Sequence, residues 1–433
     1  MKRIFDSRFA YTLLLWLLLP YAFLHLWLRS RKQREYLDHI GERFGRYPVS
    51  SDKPIIWLHT VSVGETRAIV TLVRNLRECY PAYQILLTHT TPTGRAASEQ
   101  LFGDDVMRVY LPYDYPFAVQ RFLRHFRPTV GVLLETEIWY NLIHACHDKL
   151  IPLLLLNARL SEKSARRYAG FPGLTRSGLH ELYLMAAQTE DDAMRLASLA
   201  NRAVPVMGNL KFDIEPPPPM LELGKLLRAR FGEHRPVFLA ASTREGEEAL
   251  LLQALQHADI EDLLVVIVPR HPQRFDEVAA LIGKRGLRMQ RRSASEPVTA
   301  DTQVLLGDSM GEMFAYYVAC DIAYIGGSLL PFGGQNLIEA CAVGTPVLIG
   351  PHTFNFGQAT EQAVAKGAAI QVRHAHELVN QLNILFYDSL RLENMAEAGK
   401  SFVSNNCGAT QHAMAHIALA LNHSLYNKMV LVR

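Results

Sequence analysis

Residues 322–340, IAYIGGSLLPFGGQNLIEA, pass from a short apolar run through two glycine pairs into a helix-like segment. The run 322–325 reads as a buried strand, and Leu337, Ile338 and Glu339 open a helix. Strand, loop and helix in that order form part of a βα unit, the building block of parallel sheets. The same pattern surrounds it, with strand candidates at 237–241, 263–268, 304–306, 346–349 and 368–372. An earlier series lies at 55–58, 84–88, 107–110, 130–134, 153–156 and 184–187. Between the two series Glu215 is followed by Pro216, Pro217, Pro218 and Pro219, a run that neither continues a helix nor donates to a sheet and reads as a stiff linker. The chain is therefore predicted to be α/β, with two doubly wound domains. Residues 389–421 read as helical throughout.

At 433 residues the length itself favours two domains. With 45 basic and 42 acidic side chains the net charge is +3, too small for a broad phosphate-tracking surface, so nucleic acid is excluded as a partner. The cysteines Cys79, Cys146, Cys320, Cys341 and Cys407 form no C-x-x-C pair, which predicts a reducing compartment for the catalytic part. Residues 9–28 carry no acidic or fully charged side chain and are broken only by Thr12, Pro20 and His25. Twenty helical residues rise roughly 30 Å, the thickness of a bilayer's hydrocarbon core. No small-x-small cleavage site follows, so a retained membrane segment is predicted. Spanning and shallow insertion both remain open, since Pro20 and His25 suit a bent, partly inserted helix. Arg29, Arg31, Lys32 and Arg34 follow the segment and Lys2, Arg3 and Arg8 precede it, a bias that favours a cytoplasmic catalytic part.

Ligands of open parallel sheets bind outside the carboxyl ends of strands. In the 326–339 stretch, glycines permit close backbone approach and the helix start offers N–H groups to a phosphate, with Glu339 placed for a ribose diol. A capping box, Asn336 as N-cap and Glu339 at N3, explains the same residues, and both readings can hold together. Arg270 and His271 follow strand 263–268, where a leaving phosphate needs positive charge. Gly307 to Glu312 offer another helix-entry anion site. In the first series, Glu65 follows Gly64 at the mouth of the sheet, placed for a general base or for a helix start. Glu135 and Glu137 end strand 130–134, and Lys211 follows Gly208, Asn209 and Leu210 just before the linker. There is no P-loop, no G-x-G-x-x-G after the first strand and no G-x-S-x-G elbow. Glu190, Asp191 and Asp192 after Thr189 read as a capped helix start, so a metal-dependent transfer is disfavoured.

Taken in order, HTVSVGE ending at Glu65, LLETEIW from Leu133, NARLSEKSARRY from Asn157, GNLKFD from Gly208, VPRHPQR from Val268, GDSMGEM from Gly307 and GGSLLPFGGQNLIEA from Gly326 resemble the 3-deoxy-D-manno-octulosonic acid (Kdo) transferases of Gram-negative lipopolysaccharide assembly. The resemblance runs from the N-terminal segment to the last helices. It implies a GT-B fold, two facing Rossmann-like domains plus a membrane-anchoring helix. The implied domains are an anchor and basic collar at 1–45, an acceptor domain at 46–214, the linker at 215–219, and a CMP-sugar donor domain with C-terminal helices at 220–433. It further implies CMP-Kdo as donor, lipid IVA as acceptor, no cofactor, no metal, and a site on the cytoplasmic side of the bacterial inner membrane. By resemblance Glu65 is the base, and Glu135 and Lys211 stabilise the transition state. Arg270, His271, Gly311, Glu312, Met313, Asn336, Leu337, Ile338 and Glu339 hold CMP. Direct attack by an acceptor hydroxyl would invert the anomeric centre. One departure is Tyr140, where proline is expected after Ile138 and Trp139. The rival readings are a sugar-nucleotide epimerase, which needs no lipid anchor, and a membrane-bound nucleotide-sugar sensor that has lost turnover.

Overall fold

The computed structural model describes residues 6–31, 34–294 and 297–431. Lys2, Arg3 and Lys32 of the basic flanks, and the side chain of His25, lie outside what is described. The chain forms two units, Met1–Asp213 with Cys407–Arg433, and Ile214–Asn406.

The first unit is built on strands β1 (Ile55–His59), β2 (Gln84–His89), β3 (Met107–Tyr110), β4 (Val130–Leu134), β5 (Leu153–Ala158) and β6 (Leu184–Ala187). They pair in the order β3-β2-β1-β4-β5-β6, and every pairing is parallel. Successive residues of a strand face opposite sides of the sheet. Ile55, Trp57, Leu133 and Leu155 accordingly enter one core, and Ile56, Leu58, Val132 and Leu156 the other. Burial on both faces is why these strands read as unbroken apolar runs.

The second unit carries β7 (Val237–Thr243), β8 (Leu264–Pro269), β9 (Met289–Arg291), β10 (Val304–Leu306), β11 (Ile322–Ile325), β12 (Val347–Ile349) and β13 (Ala369–Gln371). Their order is β13-β12-β11-β7-β8-β10-β9, again all parallel. Strand β9 was not predicted: it is a half-buried edge strand of three residues and carries no apolar run.

Three boundaries depart from the sequence reading. The proline run is not a linker throughout, because Pro218 starts the helix Pro218–Phe231. Proline suits a first helical position, where its missing N–H would be unpaired anyway. Residues 389–421 are helical except for a short break, forming the helices Ser389–Ser404 and Ala409–Leu431. Between them Gly408 takes a φ of 111°, which breaks the helical path. Nor does the whole tail belong with the second domain: Ala409, Ala413, Ile417 and Ala420 are buried against Ile56, Leu58 and Val132 of the first unit. Asp213 secures the return of the chain, accepting Gly408 N at 2.7 Å and also Thr410 N.

The helix Arg8–Ser30 is long and apolar enough, by length and composition, to cross a membrane. It continues through Pro20. Rather than standing apart as a separate anchor, it docks on its unit through polar contacts. Tyr11 donates to Asp114 Oδ2 at 2.9 Å, Thr12 to Asn141 Oδ1 at 2.9 Å, and Tyr115 to the Leu15 carbonyl at 2.8 Å. Aromatic pairs Tyr11–Tyr140 and Phe23–Phe44 extend the contact along the helix. Its opposite side exposes Phe9 at 77% and Leu17 at 71%.

Asp114 is the pivot of this docking. Its carboxylate also accepts Asn141 N at 3.0 Å and Leu142 N at 2.8 Å, capping the helix Tyr140–Asp148. Burial pushes its pKa up to about 7, against the three hydrogen bonds that favour the charge. The folded chain thus holds this proton at pH values where the unfolded chain has lost it. Its contribution is full below the ordinary carboxylate range and is lost as pH rises through about 7. Asp114→Ala should cost about 1–2 kcal/mol. Denaturant unfolding at several pH values checks this, and the difference from wild type should shrink between roughly pH 5 and 8.

Candidate active site

In the first unit the chain runs outward from β1 to β3 and then returns to place β4 on the other side of β1. The crevice outside the carboxyl ends of β1 and β4 is therefore its topological switch point. Glu65, in the first turn of the helix after β1, and Glu135, on the loop after β4, stand beside it.

Ser62 ends the β1 loop as the N-cap of the helix Val63–Ala68, its hydroxyl oxygen accepting Glu65 N at 3.3 Å. Glu65 reaches back, accepting Ser62 Oγ–H at 2.8 Å and Val61 N–H at 2.8 Å. The helix-start reading is thus realised, and it fixes the carboxylate rather than consuming it. Each oxygen has one donor and keeps a lone pair. Burial raises the Glu65 pKa, the Val61 N–H opposes, the Glu135 charge raises it further, and Ser62 and His59 oppose. The net shift is upward, toward greater basicity.

Glu135 sits at a φ of 58° and pairs with Lys211, Nζ to Oε1, at 3.1 Å. Lys211 lies in the one-turn helix Leu210–Phe212, where Asn209 Oδ1 accepts its N–H at 3.0 Å. Asn157 Oδ1 accepts Leu210 N at 3.1 Å, and Gln188 joins Asn157 to Asn209. Neither Asn157 nor Gln188 was singled out as functional from sequence. The signal was an asparagine one residue before the end of a strand, here at a φ of 52°.

Glu137 accepts Trp139 Nε1–H at 2.7 Å and lies 3.8 Å from His59 Nε2. His59 is fully buried, with Nδ1 3.0 Å from the Thr88 carbonyl, which places a proton on Nδ1. Tyr140, the departure from the expected proline, is the first residue of its helix, a position proline also tolerates. Its ring packs on Gly178, where a Cβ would come within 2.6 Å.

In the second unit the switch point lies between β7 and β11. Its organising residue is Glu247, fully buried and not predicted from the sequence. It accepts Arg244 N at 2.9 Å, Gly327 N at 2.6 Å, Leu329 N at 3.1 Å and Tyr324 O–H at 2.6 Å. Arg244 stacks on Phe332 at 4.4 Å, a second tie between the two loops. The glycines have structural causes as well. A Cβ at Gly326 would lie 2.4 Å from the Ser242 carbonyl, and Gly333 takes a φ of 94° beside Asn355.

Asn336 bonds twice into the helix start: its Oδ1 accepts Ile338 N at 3.0 Å and its Nδ2 donates to Glu339 Oε1 at 3.2 Å. The expected capping box is not formed, because Leu337, not Asn336, is the cap of the helix Ile338–Val343 and Glu339 accepts a side-chain amide instead of the cap N–H. Arg270 and Glu339 both act on the buried Tyr317, whose pKa is raised by burial first, further by Glu339, and lowered by Arg270. His271 stands on the exposed edge of the β8 loop. Loss of hydration and the guanidinium of Arg244 hold its pKa below the ordinary value. Gly311 takes a φ of 81° before the helix Met313–Ala319. Glu312 is tied to Arg292 at 3.1 Å and Ser309 at 2.6 Å, so its side chain shapes the loop. All these loops leave the same edge of one parallel sheet. Among the described residues no three His, Cys, Asp or Glu side chains converge as metal ligands.

Residues 38–214 match the family described as 3-deoxy-D-manno-octulosonic-acid transferase, and residues 237–402 match glycosyl transferases group 1. A 3-deoxy-D-manno-octulosonic acid transferase of Bordetella pertussis is 41% identical over 94% of this chain and 98% of its own length. That of Haemophilus influenzae is 37% identical over 94% and 97%. The chain belongs to the Kdo transferase family. It is a glycosyltransferase, and the epimerase reading falls away. Its architecture is that of GT-B enzymes. A solved glycosyltransferase of Rickettsia africae shares the fold, with a TM-score of 0.56 at 15% identity over 86% of this chain and 99% of that one.

Removing the Glu247 carboxylate leaves the N–H groups of Arg244 and Gly327 and the Tyr324 hydroxyl proton without an acceptor, while Leu329 N keeps the Tyr324 oxygen at 3.0 Å. Glu247→Ala should therefore cost about 3 kcal/mol or more. Chemical denaturation monitored at a probe in the second unit checks it, whereas a change below about 1 kcal/mol would show that water replaces the carboxylate.

Proposed function

We propose that the enzyme transfers Kdo from CMP-Kdo to lipid IVA with inversion, using Glu65 as general base and no metal. The observation that carries this reading is Glu65 itself, a buried carboxylate held by two donors, raised in basicity, beside the Lys211–Glu135 pair. In the proposed step the acceptor hydroxyl oxygen attacks the anomeric carbon and its proton passes to Glu65. The bond between that carbon and the phosphate oxygen breaks, and CMP leaves with the electron pair. An unperturbed hydroxyl is far too weak an acid to ionise first, so the base acts within the transition state. Lys211, oriented by Glu135, offers positive charge to the sugar's carboxylate or to charge developing at the reacting centre.

In this reading CMP is held at the carboxyl edge of the second sheet. Arg270 and His271 meet the phosphate, the backbone of Gly311, Glu312 and Met313 supplies N–H groups, and Asn336 to Glu339 meet the nucleoside. The fixed loops described above support such a role, since a preorganised site loses little freedom on binding. The N-terminal helix would rest in the inner membrane with the catalytic units on the cytoplasmic side. Its exposed apolar side and the flanking Arg29, Arg31 and Arg34 support that placement.

Incubation with CMP-Kdo and lipid IVA, with the lipid read by mass, tests the activity, and a chain without turnover would instead fit a sensor. Glu65→Gln keeps the shape of the cap while removing basicity, so turnover should fall by roughly 10² to 10⁴ with CMP affinity nearly unchanged. Near-wild-type turnover in that variant removes Glu65 from the mechanism. In the wild type kcat/KM should fall with decreasing pH through a pKa above the ordinary glutamate value of about 4.3, because the base must be ionised. Transfer should also persist in excess chelator, and a loss restored by Mg²⁺ would overturn the metal-free step.

A further inference from the structure

The N-terminal helix does not close against its unit along its whole length. Leu15, Leu18, Ala22 and Leu26 form one wall of a cavity of about 360 Å³, whose other wall includes Leu111 and Trp139. Arg43 also lines it and is only 4% exposed. Its Nη2 donates to the Thr90 carbonyl at 3.1 Å and its guanidinium stacks on Tyr110 at 4.2 Å, yet its Nε has no hydrogen-bond partner. The adjacent Glu42 is occupied by Arg95 and Tyr110 N, and among the described residues no carboxylate forms an ion pair with Arg43. A buried cation without an ion-pair partner is costly, and an apolar groove lined by one is complementary to an anion joined to an apolar chain. Arg29 lines the same cavity.

Two residues of the groove wall are tied to the catalytic loops. Thr91, on its wall, donates to the Val61 carbonyl at 2.9 Å, and Val61 N holds Glu65. Trp139, on the same wall, donates to Glu137. A lipid seated against this wall lies one hydrogen-bonded residue, Val61, from Glu65, and this adjacency favours the acceptor over bulk phospholipid. Resting on the acceptor reading above, we propose that this groove binds one acyl chain of the acceptor lipid, with an acceptor phosphate against Arg43.

Ala22→Trp fills the groove from the helix side and leaves the Arg43 side chain in the sequence. On the full chain with CMP-Kdo, KM is measured for lipid IVA and for its deacylated, water-soluble counterpart. The ratio of the two KM values should rise by about tenfold, the loss of roughly two buried methylenes. An unchanged ratio overturns the proposal. Leu18→Gln, on the exposed edge of the same wall, should move the ratio in the same direction by a few-fold and stands in if the tryptophan variant does not fold. Sedimentation with acceptor-free anionic phospholipid vesicles runs in parallel. A matching loss of vesicle binding would assign the groove to bulk lipid and overturn the proposal. A wild-type chain that transfers to neither acceptor overturns the acceptor reading itself, a result distinct from an unchanged ratio.

Discussion

Backbone N–H groups that emerge at the ends of parallel strands and at helix starts have no ladder partner, and each one left unmatched in the interior costs about 1–3 kcal/mol. This chain meets that constraint with carboxylates. Glu65 accepts Val61 N, Glu247 accepts three loop N–H groups, Asp114 caps the helix after β4, and Asp192 accepts Leu160 N. One ionised side chain offers two oxygens and about four lone-pair sites, so a single residue can join segments distant in sequence. Glu42 does so between Tyr110 N and Arg95, and Asp213 between the end of one crossing segment and the start of the returning helix.

That economy creates an ambiguity about every acid at a strand end, because a stitch and a general base demand the same residue type in the same place. Surroundings separate them. Glu247 is surrounded by four donors and fully buried, so nothing of it remains for a substrate. Glu135 is committed to Lys211. Glu65 has two donors only, a like charge nearby and a net upward shift, which leaves it both located and basic. A carboxylate can therefore serve as cap and base together, provided the donors are neutral and the burial penalty exceeds what they return.

Much of this was legible in the sequence. The strands of both sheets announce themselves because burial on two faces demands unbroken apolar runs, and Glu65, Glu135 and Lys211 stand at strand or turn ends where parallel sheets place their ligands. What was missed depended on partners far away in the chain. Nothing local marks Glu247 as the acceptor for Gly327, which lies on another strand's loop, or distinguishes Ala409 to Ala420 as covering the first sheet instead of the second. Strand β9 is an edge element whose half-exposed residues need not be apolar. The apolar N-terminal segment was plain, but its docking on Asp114 and Asn141 depends on the polar handles Tyr11 and Thr12, which within the run look like mere interruptions.

The position of Lys211 shows how these ties converge on chemistry. A lysine side chain has four rotatable bonds and brings little precision unless its backbone is fixed. Here the turn Leu210–Phe212 is held from three directions. Asn157 binds Leu210 N, Asn209 binds Lys211 N, and two residues later Asp213 binds the start of the returning helix at Gly408. The chain leaves this unit after Asp213 and re-enters it at Cys407, whose thiol contacts the Phe212 carbonyl at 3.2 Å. Both crossing points are thus fastened within a few residues of the lysine. With its backbone held in this way, the ammonium is directed by Glu135, 3.1 Å away. The same carboxylate adds a negative charge near Glu65 and raises its basicity, so one residue both orients the cation and shifts the neighbouring acid.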